Sequence, residues 1–512
     1  MSFLCSISKT GNPANAEKNG LEKEDGLEKE DRMRKDDDDD EEDNWYNISN
    51  IVKYYDEGPI LVIKRMSVDH AGPIVDQTNH TTLENYSLYD IKTYQKFELD
   101  ILKNVHIVKH ACENSNLEFL NWWLDSGLKL KYDERAIKWA SRNGHIDVLN
   151  WFLDSGLELK YDCWAINWAS RNGHLDVLNW FLGSGLKLKY DSYAIKLASE
   201  NEHLHVLNWF LGSGLELKYD EQPVNLACVN GHINVLNWFL GSGLKLKYNY
   251  LAINWASENG HIDVLNWFLA SGLKLKYDCW AITWASKHGH IDVLNWFLGS
   301  GLKLKYDERA ITWACKNGHI GVLNWWLSSG LKLKYDCWAI SMASENGHLD
   351  VLNWFLGSGL KLKYDSYAIR LACENGQLHI LNWFLKSGLE LKYYSNAIAL
   401  ASKNGHLHVL NWWLGSGLQF RYDCRAIDAT IKNHQIQAIE WWIQSGLPLK
   451  YTECPVKWAS ENGHLSILKL WAEARLPFDS SKKAIALALE HQQMEVLNWW
   501  KEMGFELSDP KN

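Results

Sequence analysis

Histidine, cysteine, lysine and tryptophan recur at fixed intervals along this 512-residue sequence, and each residue type is capable of chemistry. Histidine follows a glycine at His145, His174, His232, His261, His290, His319, His348, His406 and His464. A row of imidazoles suggests metal ligation. Metal ligands stand about 2 Å from their ion, whereas packed helices stand about 8–10 Å apart, so the row cannot close on one metal. At a fixed place before a helix, these histidines read as turn caps. Cysteines fill two slots, with Cys163, Cys279 and Cys337 in one and Cys112, Cys228, Cys315 and Cys373 in the other. None forms a CxxC pair, and they read as small structural residues. The sequence holds no Gly-rich phosphate loop, HExxH or nucleophile elbow. Near-identical copies also lack the asymmetry that an active site needs. The expectation is a protein with no catalytic residue, no metal and no cofactor.

A basic ladder runs through Lys131, Lys160, Lys189, Lys218, Lys247, Lys276, Lys305, Lys334, Lys363, Lys392, Arg421 and Lys450. One cation per step suits a phosphate backbone, which makes nucleic-acid binding along this ladder the alternative function. Against it, an acid follows two residues later in many copies, as at Asp133, Asp162 and Asp191, and no aromatic interleaves at a spacing suited to bases. Solvated, partly paired surface is the preferred reading.

Tryptophan, at 29 residues, is far above ordinary usage. One row, Trp151, Trp180, Trp209, Trp238, Trp267, Trp296, Trp325, Trp354, Trp383 and Trp412, lies among other apolar positions. It could serve as a stacking platform, but a repeated slot in a dense apolar segment reads as core. The slots that vary are more informative. After each tyrosine and its capping residue come pairs such as Cys163-Trp164, Ser192-Tyr193, Tyr250-Leu251, Glu308-Arg309 and Cys337-Trp338. A position that accepts both Trp and Arg is not core, and Trp, Tyr and Arg are the residue types that anchor interfaces. Trp164, Tyr193, Leu251, Trp280, Arg309, Trp338 and Tyr367 are therefore the candidate partner-binding residues. Neighbouring positions such as Glu134, Lys138 and Arg142 share one exposed stripe. Recent duplication of whole copies explains the same recurrence equally well.

The elements that must position these residues follow from a period of 29 that begins near residue 104. A loop glycine recurs from Gly144 to Gly463, with Ser115, Glu202, His434 and Gln492 in its remaining slots, and no insertion disturbs the frame. Such a period means a solenoid, propeller or array, and 29 residues of this pattern cannot supply the four strands of a propeller blade. In Tyr161 to Lys189, Ala165, Ile166, Trp168 and Ala169 define one face of a short helix. Asp162 serves as its N-cap and Gly173 as its left-handed end. A denser helix over 175–182 ends at Ser184-Gly185, and Leu186 to Tyr190 alternates as an extended connector. Neither helix buries its face alone, so copies must stack. The second glycine is kept in thirteen of the fourteen copies, with Arg475 the departure.

The unit A-I-x-W-A-S-x-N-G-H-L-D-V-L-N-W-F-L-x-S-G resembles the ankyrin repeat. The Asn172 to Leu178 core is similar to the family's loop and second helix, and Ala165-Ile166 stand where it has Pro-Leu, restored in part by Pro223 and Pro455. Family units run near 33 residues; the four missing here fall in the hairpin connector. The resemblance implies an all-α solenoid of about fourteen helix-turn-helix, ankyrin-like repeats with shortened connectors, whose first helix faces the concave side. Its Trp-rich wording is similar to short ankyrin repeats of giant DNA viruses of amoebae. That implies a non-catalytic scaffold for protein–protein recognition, with a viral protein engaging host proteins as one form of it.

Three regions follow. Residues 1–44 hold 15 acidic and 7 basic residues and read as a disordered tail. Residues 45–103 contain Ile60 to Ile63, a strand or a buried helical turn, and end in a degenerate capping repeat, because Leu88, Ile91, Tyr94 and Leu99 lie 29 residues before Leu117, Leu120, Trp123 and Leu128. The array spans 104–508. Of the net charge of −10, the tail carries most, which leaves no global drive toward nucleic acid or acidic lipid. With neither a signal peptide nor a long apolar run, the expectation is a soluble, non-secreted protein of the host cytoplasm with reduced thiols and no membrane contact.

Overall fold

Most repeats start their first helix where an Asp or Asn can cap it and end that helix where a residue can turn left-handed. Asp162, extended at φ −124°, accepts the Trp164 N–H at 2.9 Å. At the far end Gly173 takes φ +76° and the His174 N–H returns to Ala169 O at 2.9 Å, the bond that closes a Schellman turn. The second helix stops where Ser184 Oγ donates to Phe181 O and accepts from the Leu186 N–H, with Gly185 at φ +74°. The slots that lost glycine keep its backbone: Ser115, Glu202, His434, Gln492 and Arg475 all have φ between +51° and +58°.

The computed structural model describes residues 4–8, 46–47, 60–67, 80–452, 454–478 and 481–506. Of the acidic segment 1–44 it describes only Leu4–Ser8; the remainder lies outside the described residues. Strands β1 (Leu4–Ser8), β2 (Tyr46–Asn47), β3 (Ile60–Ser67) and β4 (His80–Ser87) form one antiparallel sheet in the order β2-β1-β3-β4. Residues 60–63, open between strand and helix in the sequence, are strand. The β1–β3 pairing joins residues more than fifty positions apart, which no local pattern reveals. Next come α1 (Ile91–Phe97) and then fourteen helix pairs among the described residues, from α2 (Ile107–Glu113) and α3 (Leu117–Ser126) to α28 (Ser481–Glu490) and α29 (Met494–Glu502). The fold is an almost all-helical solenoid. Connectors such as 186–191 contain no strand.

The chain divides into two units, one of 1–227 with 234–247 and the other of 228–233 with 248–512. In the first unit α1 packs beside the first full repeat. Leu88 and Tyr94 are buried, Tyr94 Oη donates to Leu88 O at 2.7 Å, and Tyr89 stacks on His110 of the first full repeat at 3.8 Å. In both units most repeats bury Ala and Ile from the first helix and Val, Leu and an aromatic from the second. That aromatic is Trp123, Phe152, Phe181, Phe210 and Phe239 in the first unit, and Phe268, Phe297, Trp326 and Phe355 onward in the second. Burying each such ring contributes about 1.5–3 kcal/mol.

This places the core one residue beyond the tryptophan row assigned to it. Trp180, Trp209 and Trp354 are only half-buried, although Trp325 of the same row is buried. Their indole N–H groups instead donate to an asparagine thirty residues earlier: Trp180 to Asn150, Trp209 to Asn179 and Trp354 to Asn324, each at 2.7 Å. In most repeats the Asn-Trp pair of the second helix is thus a ladder rail to the neighbouring repeat. The physical reason is that an indole keeps one polar atom, and a slot at the edge of the helix lets that atom find a partner.

Candidate functional site

All seven candidate residues occupy one position, immediately inside the cap of the first helix of their repeat. The capping side chain holds each backbone N–H. Asp162 holds Trp164, Asp191 Tyr193, Asn249 Leu251, Asp278 Trp280, Asp307 Arg309, Asp336 Trp338 and Asp365 Tyr367, at 2.9 to 3.1 Å. None of the seven is buried; Trp338 and Tyr367 are exposed at 45% and 42%. In the first unit Trp164 and Tyr193 lie 5.7 Å apart, ring centre to ring centre. In the second, the Arg309 guanidinium sits 4.3 Å over Trp280, and Trp338 meets Tyr367 at 5.4 Å. Leu251 lies in the same row without a ring contact of this kind. Arg309 is already ordered: it ion-pairs with Asp307 at 2.6 Å and donates to Cys279 Sγ. Hydrogen bonds from Arg309 hold the Asp307 carboxyl below the usual carboxylate range. The row therefore presents aromatic surface with a charge that is largely neutralised.

A second row, four residues on, was placed on the buried face by its spacing. Trp139, Trp168, Trp255, Trp284, Trp313 and Trp458 are half-buried instead. Trp168 has Arg142 and Arg171 over its ring, each at 4.7 Å, and Arg142 also lies 4.5 Å from Trp139. The signal for this in the sequence was the basic residue that closes many of these helices.

The basic ladder has a partner that the spacing of acids did not suggest. Lys189 Nζ donates to Tyr161 O at 2.7 Å and stands 4.4 Å from the centre of that ring. Tyr161 Oη donates in turn to Lys187 O. The same grip recurs at Lys160, Lys218, Lys247, Lys276, Lys305, Lys334, Lys363 and Lys450. The tyrosine preceding each capping residue is thus the aromatic that engages the lysines, and it comes from the neighbouring repeat.

The histidines stand at the helix start, but the rings of His145, His174, His261, His290, His319, His348, His406 and His464 do not cap their own helices. His145, His261, His290 and His406 use Nε2 to donate to a carbonyl of the preceding repeat, those of Glu113, Val229, Glu258 and Glu374, at 2.9 to 3.0 Å. Gln377 and Gln493 do the same with their amides. The ring rests on the glycine of the repeat before, where an added Cβ at Gly144 would come 2.9 Å from His174. This is an inter-repeat staple. Among the described residues no group of three or more His, Cys, Asp or Glu could hold a metal. Burial pushes the thiols of Cys112, Cys228, Cys315 and Cys373 up, the last to about 12, so they remain protonated. No helix among the described residues is long and apolar enough to cross a membrane.

A family profile described as ankyrin repeats, in three copies, matches residues 193–279. No curated protein sequence matches the chain. Among solved structures, the crystal structure of the human ASB11 ankyrin repeat domain is similar at 16% identity, over 35% of this chain and 91% of that one, with a TM-score of 0.30. Residues 193–279 are thus similar to ankyrin repeats.

Proposed function

We propose that the protein is a non-catalytic scaffold that recognises a protein partner through the row Trp164, Tyr193, Leu251, Trp280, Arg309, Trp338 and Tyr367. One observation carries the reading: none of these seven residues is buried although the residue type changes between copies, while the backbone of each is held alike by a capping side chain. Ankyrin repeats are in general protein-interaction modules, and by that likeness the row belongs to their concave side. The wording of the repeats supports a viral protein that meets host proteins in the host cytoplasm. Nucleic-acid binding along the lysine ladder is the weaker reading, because those ammonium groups already serve tyrosine rings and carbonyls. The test is capture of partners from host lysate, with and without nuclease, by the full chain and by Trp338→Ala. Nuclease-resistant capture that Trp338→Ala reduces is expected. Capture abolished by nuclease and indifferent to Trp338 would overturn the reading.

A further inference from the structure

In the second tryptophan row the chain usually covers its own indoles with its own cations. Much of the cover comes from the residue that closes the first helix, either of the same repeat or of the one before, with Lys109 over Trp139 and Lys138 over Trp168 as additions from within a helix. Trp168 has both, Arg171 and Arg142. Trp313 also has both, Lys316 at 5.1 Å and Lys287 at 5.3 Å. Trp139 has Arg142 and Trp458 has Lys432. This closing residue is charged in every copy but the fifth, where it is Val229, the last residue of α10 (Gln222–Val229). Trp255 on α12 (Tyr250–Glu258) follows it, and Glu258 closes α12. Trp255 is thus the one tryptophan of the row with a basic residue at neither position.

The structure shows what that leaves. An open groove of about 570 Å³ lies there, lined by Val229, Trp255, Glu258, Asn259, His288 and His290, all within the second unit. Beside the indole stands a carboxylate. Glu258 approaches His288 Nε2 at 3.4 Å and Lys287 Nζ only at 4.0 Å, and Lys287 is the cation over Trp313, not over Trp255. Burial holds His288 below its ordinary pKa, so it adds no positive charge at neutral pH. His290 is turned by its bond to the Glu258 carbonyl. An aromatic face beside a carboxylate, in a groove bordered by a valine, is complementary to an alkylammonium or a guanidinium.

We propose that this groove binds a lysine or arginine side chain, which stacks on Trp255 and pairs with Glu258. A partner thereby supplies the cation that the chain itself supplies at Trp139, Trp168, Trp313 and Trp458. The inference rests on the protein-recognition reading only for the source of that side chain; the site is tested without a partner, so the two can fail separately.

The experiment follows the Trp255 resonance of the full chain labelled with fluorotryptophan, assigned by its loss in Trp255→Phe. The probes are N-acetyl-lysine amide, N-acetyl-arginine amide and the uncharged N-acetyl-norleucine amide. The basic amides should shift the resonance saturably and the norleucine amide should not. Val229→Lys places a cation where Lys287 stands for Trp313, and should weaken basic-amide binding about tenfold or more. Glu258→Gln keeps the shape and the fold, and should weaken it about threefold or more. Equal shifts from the norleucine amide, no shift from any probe, or undiminished affinity in both variants would overturn the proposal.

Discussion

Trp338 and Trp280 occupy equivalent positions but are held differently, and the difference separates recognition from packing. Trp338 is exposed and touches Tyr367, whereas Trp280 lies under Arg309 and against Trp284 at 5.4 Å. Trp338→Ala should leave unfolding within about 0.5 kcal/mol of the parent and weaken partner binding by about 2 kcal/mol or more. Trp280→Ala should cost about 1 kcal/mol of stability as well, from its lost ring and cation contacts. Calorimetric titration with the captured partner, beside urea unfolding, distinguishes the two effects; unchanged affinity in both variants would mean that the row is packing. The Asn-Trp rail is testable by a double-mutant cycle on Asn324→Ala and Trp354→Phe, which keeps an aromatic in place. A coupling of about 1 kcal/mol is expected, and a value near zero would assign the indole a packing role only. Sequence spacing found the variable row because its residue types conflict with burial. It missed the rail because Asn and Trp are adjacent in sequence, whereas the bond joins each to a different copy.

At the scale of the helix, the turn between paired helices requires a left-handed residue, and His434 supplies it at φ +54°. A side chain there costs about 1–2 kcal/mol relative to glycine, so His434→Gly should stabilise the neighbouring repeats by about 1 kcal/mol in urea unfolding. Glu202→Gly should gain less, because the Glu202 carboxylate accepts from Asn234 Nδ2 at 2.9 Å and that bond is lost. His434 also packs against His464, with ring centres 4.0 Å apart. Burial, and then the neighbouring imidazole, hold the His464 pKa below its ordinary 6.5. The unfolded chain therefore takes up that proton first as pH falls below 6.5, and stability is lost on acidification. Urea midpoints compared at neutral and at mildly acidic pH should show this loss, and His434→Gly should reduce it. A pH response unaltered by that substitution would remove the imidazole pair as its source. Helix ends were legible beforehand because caps and glycines act locally. The histidine staple was not, since its acceptor is a carbonyl 32 residues earlier.

Across the whole molecule, stability in a stacked array depends on nearest neighbours, so one internal copy is dispensable. Removing residues 336–364 joins Tyr335 to Asp365 in register. The shortened chain should keep its ellipticity per residue and a cooperative thermal transition; loss of both would count against independent stacking. The sequence by itself determined the helices, their pairing, the frame of 29 and the left-handed turns, because each depends on residues a few positions apart. It also marked the variable slot. Tertiary structure alone decided which tryptophan row is core, which carbonyl each histidine and lysine reaches, and which ring lies under which guanidinium. It also decided that β1 pairs with β3. Those contacts join residues some 26 to 32 positions apart in the array, and more than fifty in the sheet. A periodic sequence places equivalent residues in a row, but only stacking brings non-equivalent residues of adjacent copies into contact. That is the physical reason the period was readable from one chain and its rails were not.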